Sequence, residues 1–335
     1  MLDQVGLFRF IKTLLLNPEK LANLLKVLVS FLFFKKGRIG GIPPVLFLEP
    51  TTFCQLTCPL CALQNPRFDS RRNQHLDLNL AHKIASEIGS KICMVILYNQ
   101  GEPLLYPEIA SLIEIFSKKN VIIKVSTNGH HPKKMNHTLV LSGLDHIIFD
   151  VDGDTQETYE QYRRDGNLKK VLENMRALSD VRRKLGKSKP FIEARFIAMQ
   201  HNLEGIEEAR RLSMEYGADQ FKVKKCMSRK EEEFAGANNF IPTDFNRLPY
   251  ETPNSCGYLY IFFMILSNGQ TSPCCYDEYG EYTLGDISET TIEENLNSKA
   301  FMSLRHNVRT VPAKDPKRLE LCQSCDLDSR IWSGK

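Results

Sequence analysis

The feature that most constrains the fold is an alternation of apolar strand-like runs and amphipathic helical stretches between Pro44 and Cys226. The apolar runs are VLFLE (45–49), ICMVILY (92–98), VIIKVST (121–127), HIIFDVD (146–152), FIEARFIAM (191–199) and QFKVKKC (220–226). Strands joined by helices pair in parallel through right-handed crossovers. The sequence therefore predicts an α/β fold with a parallel sheet, either open or curled into a partial barrel.

Polar motifs follow the first four runs, where each predicted strand ends. A cysteine triplet follows the first, NQGEP (99–103) the second, STNG (126–129) the third and DVDG (150–153) the fourth. In parallel folds the carboxyl ends of the strands meet at one edge, where the chemistry is located. Each motif alone is weak, but four at successive strand ends indicate one site.

The triplet comprises Cys54, Cys58 and Cys61, with the spacing C-x3-C-x2-C. A closed zinc site and a four-cysteine iron-sulfur cluster each need four ligands, so one metal position lacks a nearby partner. Either a distant residue or a small molecule fills it. Ten cysteines in a chain of 335 residues, without a signal-peptide cleavage site, indicate metal binding in a reducing, cytoplasmic compartment rather than disulfides.

The C-terminal region differs in character. Residues 227–255 are expected to form a polar loop, and YLYIFFMILSNGQTSPCCYD to form two strands joined by an Asn268-Gly269 turn. A helix is predicted from Thr291 to about Asn307. Residues 227–335 are thus expected to form a small α+β domain that is short of core, which a metal would compensate.

Residues 1–43 are apolar and predict two helices. Asn17 is the expected N-cap of the second helix, Pro18 its first residue, and Gly37 its stop. The second helix carries polar residues roughly along one stripe, namely Lys20, Asn23, Lys26 and Ser30. The apolar run is far shorter than the roughly 20 residues that span a bilayer. Residues 1–36 therefore either lie on a membrane surface or pack on the main domain or at a dimer interface.

The net charge of +4 is small for this length, and basic residues alternate with acidic ones, as in KVKKCMSRKEEEF (222–234). No clustered basic patch indicates nucleic-acid binding.

The triplet, NQGEP and STNG together closely resemble the radical S-adenosylmethionine (radical SAM) superfamily. The resemblance implies a partial (β/α)6 barrel over residues 44–226. It also implies that Cys54, Cys58 and Cys61 hold three irons of a 4Fe-4S cluster, whose open iron binds S-adenosylmethionine. An external electron donor such as flavodoxin or ferredoxin follows from the same resemblance. One departure is Leu60, where the superfamily usually has an aromatic residue.

The resemblance also implies residues for the cosubstrate. Gly101, Glu102 and Pro103 would line its site, with the Glu102 carboxylate receiving the methionyl ammonium; the alternative for Glu102 is a surface loop acid. Ser126 and Asn128 would bond the ribose hydroxyls or the carboxylate, unless they only cap a turn.

Further polar residues stand on the fourth and fifth strands. Arg195 would meet the cosubstrate's carboxylate or pair with Glu193. Asp150 and Asp152 would hold substrate or stay exposed in a turn.

The late cysteines resemble the shortened, twitch form of the SPASM domain. This resemblance implies that Cys256, Cys274, Cys322 and Cys325 hold a second 4Fe-4S cluster. The family spacing selects Cys274 over Cys275, whose side chain points the opposite way in an extended segment.

The sequence leaves several functions open. The leading expectation is an enzyme that cleaves S-adenosylmethionine to a 5'-deoxyadenosyl radical and oxidises an alcohol or amine carbon of a small, sugar-like or lipid-linked molecule. A peptide-modifying maturase and a sugar epimerase are alternatives in the same superfamily. A zinc-stabilised binding module is the non-enzyme alternative, which iron and sulfide content would distinguish.

Overall fold

A sheet of nine strands forms the core of the chain, in a computed structural model that describes residues 4–33, 36–226, 240, 256–312, 315–323 and 325. The first six strands are β1 (Val45–Leu48), β2 (Met94–Ile96), β3 (Ile122–Thr127), β4 (His146–Asp150), β5 (Phe191–Ala198) and β6 (Gln220–Lys225). They are parallel and lie side by side in chain order. In an open, doubly wound sheet the strand order reverses at a switch point, whereas in a barrel the strands follow one another in chain order. The observed order therefore favours the partial barrel over the open sheet.

Helices cover one face of this sheet. They are α3 (Leu78–Ile88), α4 (Ile109–Ser117), α5 (Met135–Leu141), α6 (Gln156–Tyr162), α7 (Leu168–Lys184) and α8 (Ile206–Glu215). Strand residues such as Leu46, Val95 and Ile147 are buried against them. Because side chains alternate along a strand, Phe47, Ile96 and their neighbours project to the other face, which we call the inner face.

One long helical stretch of the sequence, residues 155–186, is divided in the structure. Helix α6 ends at Tyr162, and α7 begins at Leu168 with the Asn167 side chain accepting from Lys170 N at 2.8 Å. Between them Asp165 has a left-handed φ of 65°, which ends a helix. The break carries Arg163 towards the cysteine loop, because its backbone leaves the helical path.

The C-terminal strands continue the same sheet. They are β7 (Phe262–Ile265), β8 (Gln270–Ser272) and β9 (Gly285–Asp286). Strand β7 pairs in parallel with β1, and the expected Asn268-Gly269 turn joins it to the antiparallel β8. The short helices α9 (Tyr258–Ile261), α10 (Ile292–Leu296), α11 (Lys299–Thr310) and α12 (Glu320–Gln323) complete this region. The single predicted helix at 291–307 is therefore two helices, and the loop predicted over 227–255 lies, apart from Phe240, outside the described residues.

The N-terminal helices α1 (Gln4–Leu15) and α2 (Pro18–Phe33) form a hairpin at the amino edge of the sheet. Helix α2 turns polar side chains inward. Lys20 Nζ donates to Gly89 O (3.3 Å), Ile92 O (2.5 Å) and Lys119 O (3.3 Å), just before β2 and β3. Within the described residues, no helix is both long and apolar enough to cross a bilayer.

Two more polar residues of α2 face the protein. Asn23 bonds Ile42 through both its amide oxygen (2.8 Å) and its amide nitrogen (2.7 Å), and the Ser30 hydroxyl accepts from Gly40 N at 2.8 Å. Three residues of the polar stripe, Lys20, Asn23 and Ser30, thus lie on the buried side of the helix, whereas the fourth, Lys26, is exposed. Apolar residues such as Leu21, Leu25 and Val29 face outward.

We expect Asn23→Leu to lower the free energy of unfolding although it makes the helix more apolar. The change leaves the buried N–H and C=O groups of Ile42 without their hydrogen-bond partners, which costs about 2–3 kcal/mol. Denaturant unfolding of the full chain measures it. The matched control is Leu25→Asn on the exposed side, expected to change stability by less than about 0.5 kcal/mol. A more stable Asn23→Leu variant would show that the inward polar contacts are not what holds the helix.

Candidate active site at the carboxyl edge of the sheet

The cysteine triplet lies in the loop that follows β1, at the carboxyl edge of the sheet. Cys58 is buried, while Cys54 and Cys61 are half-buried, and all three pack in one apolar cluster with Tyr162 and Met199. The structure therefore brings the three predicted ligands together beside the end of the core sheet.

Polar groups from neighbouring loops reach these sulfurs. Asn128 Nδ2 lies 3.7 Å from Cys54 Sγ, and Arg163 NH1 lies 4.0 Å from Cys58 Sγ. Cys61 Sγ lies 3.9 Å from Gln100 Oε1. Two of these contacts are N–H donors, which favour sulfur in its thiolate form.

The donor set fits an iron-sulfur cluster. Burial raises the pKa of Cys54 to about 11 and that of Cys61 to about 12, so binding iron releases thiol protons. Soft thiolates select zinc or iron-sulfur clusters over hard cations. Among the described residues no three His, Cys, Asp or Glu side chains form a group for a single metal ion, whereas a cluster places its ligands on separate irons.

Glu102, in the loop after β2, is 3% exposed. Its carboxylate accepts from Asn128 N (2.7 Å), Thr127 Oγ1 (2.8 Å) and Leu104 N (3.0 Å). Burial raises its pKa to about 7, against the lowering effect of these bonds. The burial of Glu102 excludes the surface acid, while its contact with the cosubstrate's ammonium stays a prediction. Both oxygens tie the NQGEP loop to the end of β3.

The neighbouring motif residues are placed by close backbone packing. Gly101 has a φ of +76°, and a Cβ there would lie 2.4 Å from Thr51 O, so only glycine fits. Pro103 begins a short buried turn. These positions bring the backbone of the NQGEP loop against the cysteine loop.

Ser126 and Asn128 are at the end of β3. Asn128 is buried, and its Oδ1 accepts from Gln55 Nε2 at 3.0 Å and from His130 N at 3.1 Å. Ser126 is half-buried on the inner face beside Ile148. Asn128 thus both caps a turn and contacts Cys54. The bonds of Ser126 and Asn128 to the cosubstrate stay predictions.

Arg195 projects from β5 to the inner face and pairs with Glu193, its NH2 lying 2.8 Å from Oε1. Glu193 is fully buried; burial would raise its pKa, but a hydrogen bond from His146 and the charges of Arg195 and Lys124 hold it well below the usual range. The alternative of an Arg195–Glu193 pair is therefore observed. Contact of Arg195 with the cosubstrate's carboxylate stays a prediction.

Arg163 is a site residue that the sequence reasoning missed. Its Nε donates to Asp152 at 2.6 Å, and its NH2 lies 3.4 Å from Asp150. Asp152 is fully buried, and it also accepts from Ile197 N at 2.6 Å. The two acids therefore hold the guanidinium beside Cys58 rather than lying exposed in a turn. The signal in the sequence was the helix-breaking Asp165-Gly166 that follows.

Glu49, at the end of β1, was also missed. It is fully buried and accepts from Asn99 Nδ2 (2.8 Å), Gln100 N (3.3 Å) and Ser267 N (3.2 Å), and it pairs with Arg71. This carboxylate joins the NQGEP loop to the end of β7.

The late cysteines converge between the inner face and the C-terminal helices. Cys256 lies close enough to Cys325, and Cys274 to Cys256 and Cys322, for their charges to interact. Cys275 instead lies 3.4 Å from the Tyr258 hydroxyl. The placement agrees with the selection of Cys274, although the ligand set itself stays a prediction.

Two family models match the chain. Residues 48–192 match the radical SAM superfamily, and residues 256–326 match the SPASM iron-sulfur cluster-binding domain.

Relatives and solved structures agree in fold. The chain is 24% identical over 330 residues to a tungsten-containing aldehyde ferredoxin oxidoreductase cofactor-modifying protein of Pyrococcus furiosus, covering 87% of this chain and 92% of the relative. Streptococcus suis SuiB, solved with S-adenosylmethionine, superposes with a TM-score of 0.66 at 15% identity, covering 88% of this chain and 74% of SuiB. BtrN, solved with AdoMet and 2-DOIA, gives 0.51 at 14% identity, with coverages of 85% and 93%. The chain therefore belongs to the radical SAM superfamily and joins a radical SAM domain to a SPASM iron-sulfur domain.

Proposed function

We propose that this radical SAM protein oxidises a small substrate carrying an anionic group. The observation that carries the proposal is the inner face of β3 to β6 next to the cysteine loop, where the described strand residues include Lys124, Arg195, Lys222 and Lys224, with Glu193 and Asp150 as the carboxylates. An excess of cations on one surface favours an anionic group such as a carboxylate or phosphate.

The opposite half of the inner face is apolar. Phe47, Ile96, Phe262 and Met264 are buried there, next to Tyr98 and Tyr258. A substrate with an anionic end and a carbon skeleton suits both halves. This supports a small, sugar-like or lipid-linked molecule with an alcohol or amine carbon.

A 4Fe-4S cluster with S-adenosylmethionine supplies, when bound, the 5'-deoxyadenosyl radical that removes a hydrogen atom from substrate. The chain's own part is to hold and orient. Cys54, Cys58 and Cys61 would hold the cluster, and Arg195 would meet the carboxylate of the cosubstrate. Net oxidation needs an acceptor for a second electron, and the four late cysteines would hold a group able to act as one. A flavodoxin or ferredoxin is the proposed external donor.

Peptide modification is the second candidate, since SuiB has been solved with its precursor peptide SuiA. The Pyrococcus furiosus relative is described as modifying a cofactor, which favours a small molecule. Sugar epimerisation and a non-catalytic zinc module are further alternatives. Deuterium transfer from labelled metabolites into 5'-deoxyadenosine distinguishes the enzymatic candidates by their substrate. A peptide as the sole deuterium source would overturn the small-substrate proposal.

We expect the reconstituted protein with dithionite to cleave S-adenosylmethionine to 5'-deoxyadenosine. Cys58→Ala should abolish cleavage because it removes one of the three thiolates beside Arg163. Cys93→Ala, at a buried cysteine of the sheet outside the triplet, is the matched control and should retain it. Cleavage by Cys58→Ala at the rate of the unmodified protein would exclude the assignment.

Iron counting tests the two ligand sets separately. We expect about eight irons per chain in the unmodified protein and about four when Cys54, Cys58 and Cys61 are all alanine. Cys274→Ala should lose the second cluster, while Cys275→Ala should keep both, since Cys275 contacts Tyr258. Loss of iron in Cys275→Ala but not in Cys274→Ala would reverse the assignment.

Arg163 is expected to raise the reduction potential of the cluster at the triplet, because its positive charge beside Cys58 stabilises the more negative, reduced form. Arg163→Met should lower the midpoint potential by up to roughly 59 mV, which corresponds to about 1.4 kcal/mol for one electron. Redox titration followed by electron paramagnetic resonance measures this. Arg163→Lys keeps the charge and should stay near the unmodified value; equal shifts in both variants would contradict the charge argument.

A further inference from the structure

The outward side of the N-terminal hairpin carries a concentration of exposed apolar side chains. Eight of the thirteen large hydrophobic residues exposed in the described part of the chain lie here, with exposed fractions from 37% to 70%. We call this set the hairpin stripe: Ile11, Leu15, Leu16, Leu21, Leu25, Val29, Leu32 and Phe33. Contiguous exposed apolar patches mark sites of interaction.

Rotation of α2 cannot bury this stripe. The opposite side of the helix is bound through Lys20, Asn23 and Ser30, and turning it would leave their buried partners without hydrogen bonds. The end of the helix is also fixed, because Arg309 of α11 donates to Phe31 O at 2.7 Å. The outward direction of the stripe is therefore set by polar bonds.

The borders of the stripe are cationic. Lys12, Lys26, Lys36 and Arg38 are exposed around it, and Glu19 is the acid on α2. In a twofold dimer through the stripe, the same cationic border would occur on both copies and would repel itself. An anionic surface meets this border without such repulsion.

A cavity of about 510 Å³ opens beside the α1–α2 turn. Leu16 of the stripe lines it together with Arg9, Lys12 and Lys189, against the single carboxylate Asp145. Arg9 NH1 donates to Asp145 O at 3.2 Å, and Lys189 pairs with the Asp145 side chain. The cavity thus adds net positive charge next to the apolar surface.

We propose that the hairpin stripe docks the protein on an anionic lipid bilayer, with α1 and α2 lying in the interface and their apolar side in the lipid. Interfacial helices combine a buried apolar side with basic residues at the headgroups. Lys12, Lys26, Lys36 and Arg38 occupy the border where headgroups lie. The docking is independent of the chemistry proposed for the active site.

Flotation of the full-length protein with phosphatidylcholine vesicles, with and without phosphatidylglycerol, tests the proposal. We expect binding to the anionic vesicles only, and weaker binding at high salt. Leu25→Glu with Val29→Glu should weaken binding at least roughly tenfold. Lys26→Gln and Lys36→Gln should each weaken it roughly fivefold. The matched control is Leu141→Glu with Leu203→Glu, two exposed apolar residues outside the hairpin, which should bind unchanged.

The dependence of binding on vesicle composition and on salt is measured with the unmodified protein and needs no variant. Iron content and thermal unfolding confirm that each variant is folded. Failure of the unmodified protein to bind anionic vesicles at low salt would overturn the proposal. Equal binding to both kinds of vesicle would overturn its electrostatic part. Sedimentation that shows a dimer, dissociated by the Leu25 and Val29 substitutions, in a protein that binds no vesicles would assign the stripe to a second copy instead.

Discussion

Buried carboxylates that join the ends of neighbouring strands are the interaction on which the site depends. Glu49 accepts from Gln100 N in the loop after β2, Glu102 accepts from Asn128 N after β3, and Asp152 accepts from Ile197 N in β5. A carboxylate in the interior is costly unless donors surround it. Each of these acids has at least two, so each loop of the edge is held to the next strand. The cysteine loop rests on this chain of bonds, because Asn128 and Arg163, which reach its sulfurs, are themselves held by Glu102 and Asp152.

Two carboxylates, the buried Asp145 and the exposed Asp219, also accept strand N–H groups at the amino edge, away from the cysteine loop. Asp145 accepts from Ile123 N at 2.9 Å, and Asp219 accepts from Ile192 N at 2.8 Å while pairing with Arg182. A parallel sheet leaves unpaired N–H groups at its strand ends, and short acidic side chains satisfy them. A buried acid in this fold is therefore first a means of closing the sheet, and a role with substrate needs evidence beyond burial.

The sequence predicted the strands well because apolar runs of strand length between helical stretches admit few other folds. It also brought the cysteine triplet and NQGEP to one edge, since strand ends of a parallel sheet meet there. It did not predict that Glu102 joins two loops, because a tripeptide motif does not reveal which N–H groups the fold will direct at its carboxylate. Arg163 was missed because its position depends on the break between α6 and α7, for which Asp165-Gly166 was the signal in the sequence. The amphipathic pattern of α2 gave two faces, and only the observed bonds of Lys20 and Asn23 show which one meets the protein.

The positions of the hairpin and of the site constrain how substrate arrives. Lys20 binds carbonyls that immediately precede β2 and β3, whereas the cysteine loop follows β1 at the other edge. The two surfaces are thus separated by the length of the strands, of which β3 has six residues and spans roughly 20 Å. A membrane held by the hairpin would leave the carboxyl edge open to water and to an electron donor. A substrate buried in that membrane would have to leave it to reach the cysteines, so the geometry favours a substrate whose reacting carbon belongs to its water-exposed, anionic part.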